Sequence, residues 1–375
     1  MSSYTTRSAV LRSSPGRYEV LTLDQDAPRR NEVRVRMHAA GICHSDDHFA
    51  TGDQNPAILP IVGGHEGAGV IEEVGPDTVG YAVGDHVVFS FLPVCGRCKW
   101  CSIGLQNLCN LGQHLGTGTR FDDPGTYRLS LDDAPVGQLA GLGTFSEHVV
   151  VSTASVITID PAIPFTSACL TGCGVGTGWG SSVNAAEVSA GDVVIVMGVG
   201  GIGINAVQGA VHAGASAVIA VDPVAFKRDT AVKFGATDAY EDIAQAAERA
   251  RELTEGQGAD SAVVTTGVAT GKHLGDALDA VRKGGTCVAV GLGDTFTKDG
   301  DINLHTLILH QKRLQGALFG QSAPMADIPK QLDLYRRGYL ELDGLVTATY
   351  PLDRINDAFD DMKAGKNMRG VIVFD

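Results

Sequence analysis

Residues 193–203 read VVIVMGVGGIG: five apolar residues in a row, then a glycine-rich turn. The apolar run predicts a strand buried on both faces. Gly198, Gly200 and Gly203 follow it with GxGxxG spacing, and Gly201 lies in the same turn. In a strand–turn–helix unit the first glycine permits the tight turn, the second lets backbone approach a pyrophosphate, and the third lets helix and strand pack closely. A helix predicted over about 201–213 then turns its N-terminus toward the anion. In a chain with 48 glycines the motif alone is weak. Its position between a strand and a helix gives it weight.

Working outward, the next strand, AVIAVD, ends on Asp222, 24 residues beyond Gly198. A carboxylate there accepts hydrogen bonds from the adenosine ribose hydroxyls and repels a 2′-phosphate, so the expected coenzyme is NAD rather than NADP. The alternative is a strand-end turn residue ahead of Pro223. Lys227 is either a second ribose contact or a solvated helix charge. Further apolar segments at 261–265 and 286–290, with an amphipathic helix near 224–234, continue the alternation and predict a parallel sheet covered by helices on both faces. Upstream, residues 18–90 read as short strands of period two, with Val33, Val35 and Met37 set against Arg34, Arg36 and His38. Residues 112–144 are rich in Gly and Asp with little periodicity, which predicts a long surface loop or an insertion. Residues beyond about 318 are expected to pack back on the first domain.

Cys95, Cys98, Cys101 and Cys109 place four thiols in fifteen residues, CGRCKWCSIGLQNLC. This spacing predicts a closed tetrahedral zinc site with Zn–S distances of about 2.3 Å and no position left for substrate, hence a structural ion. A more dispersed set, Cys43, His65 and Cys173, has the composition of a catalytic zinc, in which three protein ligands leave the fourth position to an alcohol or water. Ser45 and His48 follow Cys43 in the order a proton relay needs, a hydroxyl beside the metal and then an imidazole nearer solvent. From spacing alone, Ser45 as a helix cap and His48 as a surface group is the stronger reading. Glu66 adjoins His65 and is a candidate for tuning the metal or binding it transiently. Cys169 and Cys287 sit in apolar contexts and are expected to be buried thiols.

Composition limits the other possibilities. At 375 residues the chain exceeds one ordinary core, so two domains are expected. Lys and Arg total 29 against 43 Asp and Glu, a net charge of −14 with no basic cluster, which argues against a nucleic-acid partner. No run approaches the eighteen or so apolar residues of a membrane span, and the first twenty residues lack a signal-peptide pattern. The expected location is the cytoplasm, where eight cysteines are ligands or buried thiols and not disulfides.

Taken together, GHEGAG, CxxCxxCx7C and GVGGIG, in that order, resemble the zinc-dependent medium-chain alcohol dehydrogenases over nearly the whole chain. The resemblance implies an α/β fold with a GroES-like β-rich catalytic domain (1–174 and 319–375) and a Rossmann doubly wound coenzyme domain (175–318). It implies Cys43, His65 and Cys173 on the catalytic zinc, Ser45 and His48 on the relay, and Asp222 and Lys227 on the ribose. Arg369, in KNMRGVIVF, falls on a position contacting the coenzyme pyrophosphate. His44 stands where many members carry Arg for the same group, a departure that weakens its charge there. Phe91 and Leu92 line the substrate pocket by analogy. Two zinc ions per chain, NAD, a small-molecule alcohol or aldehyde and a homodimer or homotetramer are implied.

Within that family GINAVQGAVHAG, VDPVAFKR, LGTFSEHVVV and GKNMRGVIVF are most similar to the actinobacterial nicotinoprotein alcohol dehydrogenases, those assayed with N,N-dimethyl-4-nitrosoaniline. In those enzymes NAD stays bound and is recycled in place. The expected activity is hydride transfer between a primary alcohol and NAD in the interdomain cleft. The alternatives are a mycothiol- or glutathione-dependent formaldehyde dehydrogenase and, in another class, a non-catalytic protein that binds NAD and zinc.

Overall fold

Alternation along 33–38 puts Val33, Val35 and Met37 at 0% exposure while Arg34, Arg36 and His38 remain partly exposed, so one strand, Glu32–Gly41, presents one face to a core. In the computed structural model, which describes residues 3–293, 298 and 300–375, that strand is the centre of the larger of two units. This unit comprises Met1–Cys173 and Ala323–Asp375; the second is Gly174–Ser322.

In the larger unit Glu32–Gly41 pairs antiparallel with Glu66–Val74, His148–Ser152 and Arg369–Val373. The sheet is completed by Val156–Thr158, His86–Phe89 and Val346–Pro351. The C-terminal strand thus returns to the first sheet. A closed barrel stands beside it, formed by Ser3–Leu11, Tyr18–Asp26, Leu129–Leu131, Ala134–Gln138 and Ile61–Val62.

The barrel corrects the reading of 112–144 as a surface loop. Leu129–Leu131 and Ala134–Gln138 form a hairpin whose two-residue turn, Asp132–Asp133, has φ of 50° and 65°. Left-handed backbone at both central positions is what a type I′ hairpin needs, and short acidic side chains tolerate it. The segment is also anchored by charge. Arg128 Nε donates to Glu32 Oε1 at 2.8 Å, Arg120 Nη1 donates to Glu32 Oε2, and Arg120 Nη2 donates to Asp26 Oδ2 at 2.8 Å. Glu32, Arg120 and Arg128 are all buried. Burial opposes ionisation of Glu32, yet Arg128 and Arg120 outweigh it and hold the carboxyl below its usual range.

The second unit carries the parallel sheet expected from its apolar runs. Its order is Asp238–Tyr240, Ala217–Val221, Val193–Met197, Ala259–Val264, Val281–Ala289, Arg313–Gly316. Val193–Met197 and Ala217–Val221 are buried at every residue, as a strand covered on both faces must be. The predicted helices occur at Gly203–His212 and Ala225–Lys233. Chain order reverses between Val193–Met197 and Ala259–Val264, and such a switch point at the carboxyl ends of the strands is where open α/β sheets bind ligands.

Candidate metal and coenzyme sites

Cys43 follows the central strand and immediately precedes the helix His44–Thr51. His65 immediately precedes the neighbouring strand, Glu66–Val74, whose register sets Glu66 opposite Gly41. Cys173 follows the 3₁₀ turn Cys169–Gly172. These three chain segments, all in the larger unit, bring one donor atom each from Cys43, His65, Glu66 and Cys173 within 4.8 Å of one another, all buried.

The donor chemistry fits a metal. His65 Nε2 is buried with no hydrogen-bond partner among the described residues, a costly state for a ring nitrogen unless it binds an ion. Its Nδ1 lies 3.1 Å from Asp46 Oδ2, and Asp46 Oδ1 accepts the Gly64 N–H at 2.8 Å. A carboxylate behind an imidazole fixes the tautomer that leaves Nε2 as the donor to metal. Burial disfavours the charged ring, but Asp46 and then Cys43 outweigh it and hold His65 well above its ordinary range. The hydrogen bond with Cys173 holds the Cys43 thiol well below the usual thiol range, and the same bond together with burial raises Cys173. Burial pushes Glu66 up to about 7 against the pull of Arg369.

Arg369 sits 5% exposed, its Nη2 on Glu66 Oε2 and 3.3 Å from the Ile42 carbonyl. The structure therefore places it beside the four donors. Ser45 Oγ is 3.7 Å from Cys43 Sγ, and His48 lies one turn further along the same helix. The cap position belongs to Cys43, with no side-chain cap bond, so Ser45 is inside the first turn and does not cap. His44 is exposed. Phe91 sets its ring edge-on to His65, centroids 5.8 Å apart, whereas Leu92 is buried.

Asp46 went unnoticed in the sequence. Two consecutive acids in SDDH look like ordinary first-turn helix charges; the signal was a carboxylate three residues after a candidate ligand. Asp53 was missed in the same way. Its carboxylate lies 3.1 Å from His48 Nδ1.

The second cysteine set also converges. Cys98 and Cys101 sulfurs are 3.6 Å apart, and the Cys95–Cys101 and Cys98–Cys109 pairs are each 4.0 Å. A tetrahedron of sulfurs about 2.3 Å from a zinc has edges of roughly 3.8 Å. Backbone N–H groups of Cys101 and Asn110 pull the Cys98 thiol down to about 6, toward the thiolate that binds metal. Cys169 and Cys287 are fully buried, as expected.

In the smaller unit the glycine turn connects Val193–Met197 to Gly203–His212. A Cβ on Gly203 would lie 1.9 Å from the Gly198 carbonyl oxygen, so only glycine lets the helix start this close to the strand. Gly200 faces Lys227, whose Nζ would be 4.0 Å from an added Cβ. Asp222 is 5% exposed; its Oδ2 accepts the Val199 N–H at 3.0 Å and its Oδ1 the Val224 N–H at 2.9 Å.

The chain belongs to the zinc-binding dehydrogenases of the alcohol dehydrogenase family. Residues 29–161 match the alcohol dehydrogenase GroES-like domain and residues 201–337 the zinc-binding dehydrogenase domain. The chain is 46% identical over 368 residues to the NDMA-dependent alcohol dehydrogenase of Amycolatopsis methanolica, covering 98% of each. It is 46% identical over 367 residues to alcohol dehydrogenase B of Mycobacterium tuberculosis, again covering 98% of each. Among solved structures, benzyl alcohol dehydrogenase from Acinetobacter calcoaceticus superposes with a TM-score of 0.91 at 28% identity, over 99% of this chain and 100% of that one. Among the described residues no helix is long and apolar enough to cross a membrane.

Proposed function

We propose that the protein is an NAD-dependent zinc alcohol dehydrogenase that oxidises primary alcohols, with Cys43, His65 and Cys173 holding the catalytic zinc and Cys95, Cys98, Cys101 and Cys109 the structural one. The observation that carries the reading is the buried cluster of two thiols, an imidazole with an unpaired Nε2 and a carboxylate. Bound zinc supplies Lewis acidity that lowers the pKa of an alcohol hydroxyl, and bound NAD supplies the acceptor for the hydride that leaves carbon.

The chain's own side chains do the rest. Asp46 holds the His65 ring in the ligating tautomer. The hydroxyl of Ser45, beside Cys43, accepts the alcohol proton, and His48 passes it to water. Glu66, paired with Arg369, stands close enough to exchange with a ligand as substrate enters. Phe91 walls the site with an apolar edge. The glycine turn Gly198–Gly203 is the candidate for receiving the pyrophosphate, and Asp222 and Lys227 are the candidates for holding the adenosine ribose. The resemblance to the nicotinoprotein alcohol dehydrogenases supports a retained NAD, re-oxidised in place by a second acceptor, and the name of the NDMA-dependent relative fits that reading.

The same reading makes the assembly a homo-oligomer. All four residues of the outer strand Arg313–Gly316 are exposed, and the preceding helix Leu304–Leu309 exposes Leu304, Ile308 and Leu309 at 64–69%. An open sheet edge beside exposed apolar residues suits pairing with a second copy.

Native mass spectrometry tests these points together. The expected result is two zinc ions and one NAD per chain in an oligomer, with Cys173→Ala losing one zinc and all turnover. A Cys173→Ala protein that keeps two zinc ions, or wild-type activity, defeats the site assignment.

A further inference from the structure

The relay's outer end is more elaborate than a lone imidazole. The helix His44–Thr51 stops at Gly52, whose φ of 90° is left-handed backbone that a side chain would strain. Two N–H groups, from Gly52 at 3.2 Å and Gln54 at 3.0 Å, both donate to the His48 carbonyl. The chain therefore doubles back over the last turn, and Asp53, between those two residues, is returned to the ring of His48. Asp53 Oδ2 lies 3.1 Å from His48 Nδ1 and accepts the Thr51 hydroxyl at 2.8 Å. The imidazole is 10% exposed and the carboxylate 55%. His48 and then Thr51 hold Asp53 below the usual carboxylate range.

We propose that Asp53 is a positioning residue for proton release: its carboxylate, itself oriented by Thr51, fixes His48 with a proton on Nδ1 and leaves Nε2 as the acceptor. This rests on the reading above in which Ser45 and His48 carry the alcohol proton outward. An ionised carboxylate can only accept hydrogen bonds, so the ring nitrogen facing it carries hydrogen. A neutral imidazole has one such nitrogen; the other, Nε2, then has the lone pair that a relay requires. Taking one proton at Nε2 gives an imidazolium facing a carboxylate, and passing that proton from Nε2 to a water molecule restores the neutral ring with its hydrogen on Nδ1. The half-exposed carboxylate brings solvent to the otherwise buried imidazole. Without Asp53 the ring is free to present either tautomer and either face.

The test is single-turnover reduction of enzyme-bound NAD by saturating alcohol, followed by nicotinamide absorbance, in the zinc-loaded enzyme. Asp53→Ala is expected to slow hydride appearance about tenfold, part of the 10²–10⁴ that a positioned acid or base contributes. It should also raise the solvent deuterium isotope effect, leave zinc and NAD content unchanged and cost nothing further in a His48→Gln background. Asp53→Asn keeps an oxygen acceptor without the charge and is expected to fall between. This second variant preserves the Thr51 bond should the alanine protein fold poorly. A wild-type rate in Asp53→Ala or Asp53→Asn, or a tenfold loss that persists in the His48→Gln background, overturns the role of Asp53 while His48 stands. A wild-type rate in His48→Gln removes the relay itself, and Asp53 with it.

Discussion

Replacing Glu32 with Gln should unfasten the segment 112–144 from the barrel. The carboxylate accepts the Arg128 Nε–H at 2.8 Å, the Arg120 guanidinium and the Arg29 backbone N–H at 2.8 Å, and both guanidinium groups are buried. Arg120 keeps a second partner in half-exposed Asp26; Arg128 is left with Gln138 Oε1 at 3.3 Å and the Gly141 carbonyl at 3.4 Å, both neutral. Gln removes the negative charge and turns an NH₂ toward donors, leaving a buried cation uncompensated. Breaking a buried pair in this way costs about 3–5 kcal/mol. For a cooperative unit of roughly 200 residues, where 1 kcal/mol moves Tm by about 2–4 °C, the expected drop is on the order of 10 °C. Urea unfolding of the zinc-loaded protein at pH 7 measures the loss, and limited trypsin digestion locates it, since cleavage after Arg120 and Arg128 should appear only in the variant. The sign with pH is fixed: Glu32 is held below its unfolded pKa, so its contribution is complete above about pH 4.3 and disappears as pH falls through the lower folded value. Glu32→Gln and wild type should therefore converge in acid. A variant within 1 kcal/mol of wild type at pH 7, with no new tryptic sites, would falsify the account of the triad.

One further outcome concerns the metal site and another a buried thiol in the second unit. Asp46→Asn removes the charge behind His65 and should weaken catalytic zinc by roughly 10–100-fold without touching the four-cysteine zinc, read by competition with a chromogenic chelator; unchanged affinity for both ions would mean that Asp46 only packs. Burial pushes the Cys287 thiol up to about 12, which leaves on the order of 10⁻⁴ of it as thiolate at pH 8. Iodoacetamide should therefore spare Cys287 in the native protein and label it only after unfolding, and rapid native labelling identified by peptide mass would contradict its placement.

The coenzyme sheet could be read from residues because its strands are apolar on both faces. Val193–Met197 and Ala217–Val221 fall where the apolar runs put them, and the helices after them differ only by a residue or two at their ends. The barrel could not be read. Its hairpin strands are three and five residues long, the second contains Pro135, and the turn between them is Asp-Asp, not the Asn-Gly or Asp-Gly that announces a type I′ turn. Two fully buried arginines in a Gly- and Asp-rich stretch also look like surface until their shared carboxylate, some ninety residues upstream, is known. At the metal cluster, side-chain type was enough to single out Cys43, His65 and Cys173 as candidates. The acids behind the imidazoles, Asp46 at His65 and Asp53 at His48, are common residues whose placement is set by a helix start and a helix stop, which no spacing rule records.

Asp222 carries a lesson for anyone who wishes to redesign coenzyme preference. The usual manoeuvre for admitting a 2′-phosphate is to neutralise this acid, treating it as a gatekeeper whose removal merely widens tolerance. Here one of its oxygens also clasps the amide of Val199, inside the glycine turn. Replacements without an oxygen acceptor would release that amide and relax the turn proposed to receive the pyrophosphate, so an NADP variant has to re-tether it, and Asn or Ser at 222 is a better starting point than Gly or Ala.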